Sequence, residues 1–276
     1  MYLFKVQAID EYAQSCLQDD VLEAEVYRVH AGCLNLMDRH KRLVCLLRED
    51  AFNGPGGVSV KLPSGETFFS LGMREGERRS FQLDAGEARH WKSDLASFFS
   101  GGISPGNYGY QAPLLRGFSC KVFPGAVRAL ENLCEAVAAQ AGEAAIRRAC
   151  GGLIGLGPGL TPSGDDMLLG FLAALWTRGI AGGEDAVPAR RNIELLCALL
   201  PDCREKTSLV SWNYLAHAAE GRFFEPVLKI LGALFSGDDS SFLAWIGRLV
   251  HHGASSGRDI FFGLREGLLI SLKEAA

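Results

Sequence analysis

A run of glycine and proline that leads directly into an apolar block limits the possible folds of this chain more than any other feature. Residues 151–166 read Gly-Gly-Leu-Ile-Gly-Leu-Gly-Pro-Gly-Leu-Thr-Pro-Ser-Gly-Asp-Asp, and the apolar block continues to Leu175. Glycine and proline are the poorest helix formers, so the run predicts a tight loop. The block that follows predicts a buried helix that begins near Ser163. The first backbone N–H groups of such a helix have no partner inside it, so they are open to a cap or a ligand.

A second copy of the motif lies closer to the end of the chain. Ser256-Gly257-Arg258-Asp259 repeats the spacing of Ser163-Gly164-Asp165-Asp166, and Gly263 matches Gly170. Two interpretations are open. In the first, each Ser-x-x-Asp is a capping box that closes its own helix. In the second, the two helix starts meet in space and share a polar cleft. The long glycine lead-in and the additional Asp165 exceed what a cap requires, which favours the shared cleft.

The first part of the chain predicts a β-rich domain. Turn residues separate short runs with strand-like composition, a spacing typical of a small antiparallel barrel or sandwich. A short helix within residues 8–18 precedes these runs, and a helix over Glu87–Phe99 follows them. The loop 101–110 is either a lid or a simple connection. The expected strands are Glu25–Val29, Cys33–Met37, Leu43–Leu47, Gly57–Leu62, Thr67–Leu71 and Ser80–Leu83.

From Gly125 onward the composition changes to helices without strand-like alternation. The predicted fold class is therefore α+β, with a β-rich domain over residues 1–122 and an all-α domain over residues 123–276 that carries the glycine motif. The expected helices are Ala126–Cys150 with a break near Gly142, Met167–Arg178, Ala189–Leu200, Glu205–Glu220 ending at Gly221, Glu225–Phe235, Ser240–His251 and Gly257–Lys273.

Composition narrows the classes of partner and compartment. A net charge of −4 gives no basic surface for nucleic acid. The eight cysteines are scattered without a Cys-x-x-Cys pair, a pattern that favours a reducing cytoplasm over a disulfide framework. No apolar run is long enough to cross a bilayer, so we expect no membrane partner.

The acidic glycine motif restricts the ligand. It lacks both the Gly-Lys-Ser/Thr of a phosphate-binding loop and the dinucleotide spacing. A carboxylate about 4 Å from a phosphate costs roughly 4 kcal/mol, more than a helix dipole returns. A small anionic substrate therefore requires a bridging cation such as Mg²⁺, unless the carboxylates are turned away as helix caps. Alternatively, the carboxylates hold amide, ureido or ammonium N–H groups, and Arg258 with the backbone meets the anion. The sequence does not define a cofactor, although Mg²⁺ is compatible with the motif. No metal site formed by protein residues alone is predicted, because His251 and His252 lack a second pair of ligands at metal-binding spacing.

These arguments give the candidate site residues. Thr207, Ser208 and Ser211 are included because their three- and four-residue spacing puts hydroxyls on one helix face, although an N-cap with small-residue packing explains them equally well. The loop Phe52–Gly57 could cradle a ligand, but its composition favours a β-turn. The candidate catalytic residues are Asp165, Asp166 and Asp259, and the candidate substrate-binding residues are Gly157, Gly159, Thr161, Ser163, Gly164, Thr207, Ser208, Ser211, Ser256, Gly257 and Arg258.

The sequence Gly-Pro-Gly-Leu-Thr-Pro-Ser-Gly-Asp-Asp at 157–166 resembles the central motif of a family, long of unknown function, that includes the AllH-type subunit of oxamate carbamoyltransferase. The resemblance extends to Thr207–Leu215, Ala218–Gly221 and His252–Gly263, and more loosely to Asn35–Met37 and the Phe52–Gly57 loop. The AllH-type subunit has histidine after the motif serine, where this chain has Gly164.

The resemblance implies a transferase subunit that moves a carbamoyl group between phosphate and oxamate, or a related small carboxylate or amide, in purine-derived (allantoin) nitrogen catabolism. It also implies an FdrA-like subunit, related to acyl-CoA synthetases, and an AllG-type subunit as partners. The alternative is a non-catalytic scaffold or regulatory subunit that uses the glycine loop as a protein interface.

Overall fold

The computed structural model describes residues 2–100, 112–118, 121–184 and 186–270. The chain forms two compact units, Met1–Ser93 and Asp94–Ala276. The boundary expected from the sequence, between residues 122 and 123, falls inside the second unit, and the domain division stays a prediction. The expected lid or connection at 101–110 lies outside the described residues.

The first unit is a closed β-barrel of six strands with one additional strand. The strands follow one another around the barrel in the order β5-β4-β3-β2-β6-β1, β1 closes on β5, and β7 extends from β1. The barrel interior is filled by buried apolar side chains, among them Phe68, Phe81 and Leu36. The β-rich barrel expected from the sequence is confirmed. The strands are β1 (Tyr2–Asp10), β2 (Val21–Val29), β3 (Cys33–Asp38), β4 (Leu43–Arg48), β5 (Gly57–Lys61), β6 (Arg78–Asp84) and β7 (Arg89–Trp91).

Several local predictions in this unit are wrong. Thr67–Leu71 was expected as a strand, but Phe68–Leu71 forms a 3-10 helix. Strand β1 was missed because Leu3, which is 71% exposed, interrupts the alternation of its apolar and polar residues. The early helix α1 spans only Glu11–Ser15. Glu87–Phe99, expected as one helix, divides into β7 and a short helix, α2 (Leu95–Phe99). Most strand pairs are antiparallel as expected, but β1–β6, β1–β7 and β4–β5 are parallel.

The loop Phe52–Gly57 contains the β-turn that its composition favoured. The N–H of Gly57 donates to the carbonyl of Gly54 at 2.9 Å, and Gly56 has a φ of 73°, as the third position of a type II turn requires. The N–H of Gly56 donates to the Asp10 carboxylate at 3.0 Å. The N–H groups of Gly56 and Gly57 are thus used inside the barrel unit.

The second unit is helical, as predicted, and its helices from Pro124 onward match the expected positions to within a few residues. The helix Ala112–Gly117 was not expected, and the expected end of the last helix at Lys273 lies outside the described residues. The largest difference is at Glu205–Glu220, where a 3-10 helix (Leu200–Lys206) precedes a helix that begins only at Leu209. No described helix is long and apolar enough to cross a membrane. The helices are α2 (Leu95–Phe99), α3 (Ala112–Gly117), α4 (Pro124–Ala138), α5 (Glu143–Leu153), α6 (Ser163–Ala181), α7 (Ala186–Leu199), α8 (Leu209–Ala219), α9 (Glu225–Ser236), α10 (Asp239–Val250) and α11 (Ser256–Leu269).

Helices α6 and α11 cross at matched glycines, and the contact is reciprocal. A Cβ atom on Gly170 of α6 would lie 2.0 Å from the carbonyl oxygen of Ile260, and a Cβ atom on Gly263 of α11 would lie 1.8 Å from that of Met167. Met167 and Ile260 occupy equivalent positions in the two motif copies. The sequence repeat thus corresponds to an approximate two-fold relation. In each copy, two helices that pack against each other precede the motif helix: α4 and α5 precede α6, and α9 and α10 precede α11.

Candidate functional site

The glycine loop brings the start of α6 back against the end of α5. Gly155 and Gly157 have φ values of 77° and 120°, which side-chain-bearing residues rarely adopt. The loop carbonyl of Leu156 accepts a hydrogen bond from the N–H of Gly164 at 2.8 Å. A Cβ atom on Gly164 would lie 2.0 Å from the carbonyl oxygen of Leu153, so only glycine fits this contact without a shift.

The second motif copy makes the same kind of close backbone contact at the start of α11. The N–H of Gly257 donates to the carbonyl of His252 at 3.1 Å, and a Cβ atom on Gly257 would lie 1.7 Å from the carbonyl oxygen of Leu249. The N–H groups of Gly164 and Gly257 are therefore used within the protein. Two of the helix-start donors that the sequence offered to an anion are occupied.

The capping-box interpretation of the two motifs is wrong. Ser163 and Ser256 are the first helical residues, and the preceding N-cap residues, Pro162 and Ser255, form no side-chain capping bond. The interactions run between the helices instead. The Ser256 hydroxyl lies beside Asp166, and the Ser163 hydroxyl lies beside Asp259. Each serine thus faces the aspartate of the other motif copy.

A further bond joins the glycine loop to α11. The hydroxyls of Thr161 and Ser256 are 2.8 Å apart, and the Thr161 hydroxyl also lies beside Asp166. The structure therefore brings Thr161, Ser163, Asp166, Ser256 and Asp259 together, which is the meeting of two helix starts that the repeated motif predicted.

Asp165 is directed away from this pair and toward α8. Its Oδ1 accepts from the N–H of Gly155 at 2.7 Å, and its Oδ2 accepts from the hydroxyls of Thr207 and of Ser211, the latter at 2.7 Å. Asp165 forms no ion pair within the described residues. Both of its oxygens hold the glycine loop against α8. Gly155, which takes part in this contact, was not among the candidate site residues.

Ser208 completes the attachment of the loop. It caps α8 by accepting from the N–H of Ser211 at 3.0 Å, and its hydroxyl donates to the carbonyl of Leu160. The N-cap interpretation of Ser208 is confirmed, and the hydroxyls of Thr207 and Ser211 both donate to the Asp165 carboxylate. Gly159, by contrast, is exposed at the loop tip with no atom within 4 Å of a Cβ built on it.

The region that contains both motifs also matches a known family. Residues 153–268 match the family model of oxamate carbamoyltransferase subunit AllH. The resemblance noted in the sequence is confirmed for this region. The AllH match extends from the last residue of α5 into the final turn of α11 and contains every candidate site residue. No solved structure matches the chain.

Burial dominates the electrostatics of this AllH-like site. Burial raises the pKa of Asp166 well above its usual range, and the negative charges of Asp259 and Asp165 add to the effect, against hydrogen bonds from Ser256 and Thr161. Burial also raises the pKa of Asp259, opposed by the hydroxyls of Ser163 and Ser255 and by the charge of Arg258. Both carboxyl groups therefore hold a proton at higher pH than free aspartate does.

Burial likewise raises the pKa of Asp165, although its three hydrogen bonds favour the ionised form. Arg258 and Asp165 occupy equivalent positions in the two motif copies and have opposite charges, but they do not pair with each other. The Arg258 guanidinium donates to the carbonyl of Ala254, and its charge acts on Asp259. Among the described residues, no group of three or more His, Cys, Asp and Glu side chains could hold a metal ion. A Mg²⁺ ion at this site would thus take at most two carboxylates from the protein, with oxygens of the substrate as its other ligands.

Proposed function

We propose that this chain is a subunit of a carbamoyltransferase that moves a carbamoyl group between phosphate and oxamate, or a related small carboxylate or amide. The AllH match supports the reaction class. The observation that carries the site assignment is the convergence of Asp166 and Asp259, two buried carboxyl groups of raised pKa from opposite motif copies. Groups of this kind at one polar site are typical of acid–base chemistry.

The chemistry of carbamoyl transfer suits such a pair. When the amide nitrogen of oxamate attacks the carbamoyl carbon of carbamoyl phosphate, a C–N bond forms, the C–O bond to phosphate breaks, and the nitrogen loses a proton. A carboxylate within reach accepts that proton as a general base, and its protonated form returns the proton in the reverse direction. General acid–base catalysis of this kind contributes roughly 10²–10⁴-fold to a rate. We assign this role to Asp166 and Asp259.

We assign Asp165 a positioning role in the same reaction. Its oxygens are occupied by Gly155, Thr207 and Ser211, so it acts by fixing the loop that carries Thr161. An asparagine at this position could still accept from the N–H of Gly155 while its amide donates to the two hydroxyls. Replacing Asp165 by asparagine is therefore a matched comparison for the same replacement at the neighbouring Asp166.

The setting of the reaction follows from the resemblance. We propose that the chain acts with an FdrA-like and an AllG-type subunit, in purine-derived nitrogen catabolism in the cytoplasm. All seven described cysteines are free thiols, which agrees with a reducing compartment. Mg²⁺ held by Asp166 or Asp259 together with substrate phosphate is compatible with this scheme.

Reconstitution of the chain with these partner subunits tests the function. We expect carbamoyl phosphate and oxamate to be interconverted with carbamoyl-oxamate and phosphate, and Asp166→Asn or Asp259→Asn to lower the transfer rate by about 10²-fold or more. Asp165→Asn should lose much less. Asp202→Asn, in a side chain that is 65% exposed, is the control and should leave the rate unchanged. Full activity in Asp166→Asn and Asp259→Asn would discard the site assignment.

The scaffold alternative is favoured by one observation, the exposure of Pro158 and Gly159 at the tip of the glycine loop. A non-catalytic subunit predicts that Gly159→Arg blocks assembly with the partner subunits, and that the Asp166 and Asp259 variants assemble and keep full transfer. The proposed carbamoyltransferase predicts instead that these two variants assemble but lose transfer.

A further inference from the structure

The buried site between α6 and α11 has more carboxylate oxygens than its hydroxyl groups satisfy. Three carboxylate oxygens there are buried and have no partner of ordinary hydrogen-bond geometry, namely Oδ2 of Asp166 and both oxygens of Asp259. The two residues are 4% and 0% exposed. Ionised carboxylates can only accept hydrogen bonds, and a buried acceptor without a partner is costly. What these three oxygens lack is therefore further N–H or O–H donors, not another anion.

The charge of Arg258 acts on Asp259 without forming an ion pair with it. Within the described ranges, no lysine or arginine forms an ion pair with Asp166 or Asp259. A phosphate or carboxylate at this point would face two carboxyl groups, and the Coulomb repulsion would oppose its binding. The site therefore selects the nitrogen end of a substrate.

The symmetry of the site narrows the ligand further. Each helix contributes one aspartate and one serine, and each serine faces the aspartate of the other helix. The reciprocal contacts of Gly170 with Ile260 and of Gly263 with Met167 place the two aspartates in equivalent positions. A primary amide or carbamoyl nitrogen carries two equivalent hydrogens, which matches two equivalent acceptors.

We propose that Asp166 and Asp259 together bind the –NH2 group of a primary amide, each accepting one of its two hydrogens. The proposal concerns the same site as the proposed carbamoyltransferase function and rests on it. The hydroxyls of Thr161 and Ser256 are 2.8 Å apart, and these two residues are half-buried, whereas Asp166 and Asp259 are buried.

Oxamate and pyruvate test this recognition, because they have the same charge and nearly the same shape. They differ in one group, which is –NH2 in oxamate and –CH3 in pyruvate. In calorimetric titrations of the assembled complex, we expect oxamate to bind at least about tenfold more tightly than pyruvate, since a site built for N–H groups rejects an analogue without them. Asp166→Asn and Asp259→Asn should each remove most of this preference, to similar extents. Asp202→Asn should keep it.

A ligand series in the unaltered protein keeps the test independent of variant folding. N,N-dimethyloxamate has no N–H on its amide, so we expect it to bind no better than pyruvate. Equal binding of oxamate and pyruvate, no binding of either, or a preference that survives in both aspartate variants would overturn the proposal. An oxamate preference that depends on the pair, without any carbamoyl transfer, would overturn the proposed function alone. Transfer without that preference would overturn this inference alone.

Discussion

Gly263→Ala is expected to destabilise the helical unit by about 3 kcal/mol or more, because overpacking against rigid backbone is among the costliest core changes. The added methyl carbon would lie 1.8 Å from the carbonyl oxygen of Met167, with further backbone atoms of Met167 within 3 Å. The three atoms nearest to the added carbon are all backbone atoms, so the clash is not relieved by moving a flexible side chain. The two helices would have to separate, and the Asp166–Asp259 site would separate with them. Urea-induced unfolding followed by circular dichroism measures the loss.

Gly247→Ala is the matched control for this change. Gly247 lies inside α10, and nothing lies within 4 Å of a Cβ atom built on it. Alanine there should stabilise the protein by about 0.5–1 kcal/mol, because it restricts the unfolded chain more than glycine does. Gly170→Ala should resemble Gly263→Ala, since its Cβ atom would lie 2.0 Å from the carbonyl oxygen of Ile260. Near-equal stabilities of Gly263→Ala and Gly247→Ala would contradict the described helix crossing.

Asp166→Asn is expected to make the protein more stable at neutral pH while it removes carbamoyl transfer. The folded state raises the pKa of Asp166 well above the usual value of 3.8, mainly through burial. The folded protein therefore binds this proton more tightly than the unfolded chain does. Stability is greatest below the unfolded pKa and falls as the pH rises toward the folded pKa. Asparagine carries no charge and escapes this loss, and its amide can donate to the unpartnered oxygens of Asp259.

The pH dependence separates this effect from simple repacking. We expect the stability advantage of Asp166→Asn to be large near neutral pH and to shrink toward zero below about pH 4, where aspartate is protonated in both states. Urea unfolding of both proteins over this pH range provides the measurement. Asp238→Asn is a control of opposite sign, because hydrogen bonds from Ser241 lower the pKa of this helix-capping aspartate. A stability advantage for Asp166→Asn that does not change with pH would contradict the assigned ionisation.

The sequence predicted the helical unit better than the barrel, for a physical reason. Its helices are bounded by glycine and proline, and Gly221, expected to terminate a helix, has a φ of 77° directly after α8. The strand-like composition of Thr67–Leu71 was misleading because Phe68 is fully buried while Phe69 is 62% exposed on one turn of 3-10 helix. Whether such a short segment extends or coils depends on its tertiary contacts, which composition does not encode.

The sequence predicted which residues form the candidate site better than it predicted the contacts between them. The shared glycines and aspartates of the two motifs indicated that they form one site. The sequence did not distinguish a capping box from a bond between helices, because both use the spacing Ser-x-x-Asp. The difference is a single residue, because the N-cap is Pro162, whereas a capping box would require Ser163 at the N-cap. The attachment of Asp165 to Gly155 and Thr207 joins residues far apart in the chain, and no local pattern signals it.

A double-mutant cycle between Thr161 and Ser256 tests most directly whether the two motif copies meet. Their hydroxyls are 2.8 Å apart, although they precede α6 and begin α11. Unfolding free energies of Thr161→Val, Ser256→Ala and the double variant should give a coupling of about 0.5–1.5 kcal/mol. Thr161→Val with Ser240→Ala, at the exposed start of α10, should be additive. Additivity of Thr161→Val with Ser256→Ala, to within about 0.3 kcal/mol, would contradict the shared site.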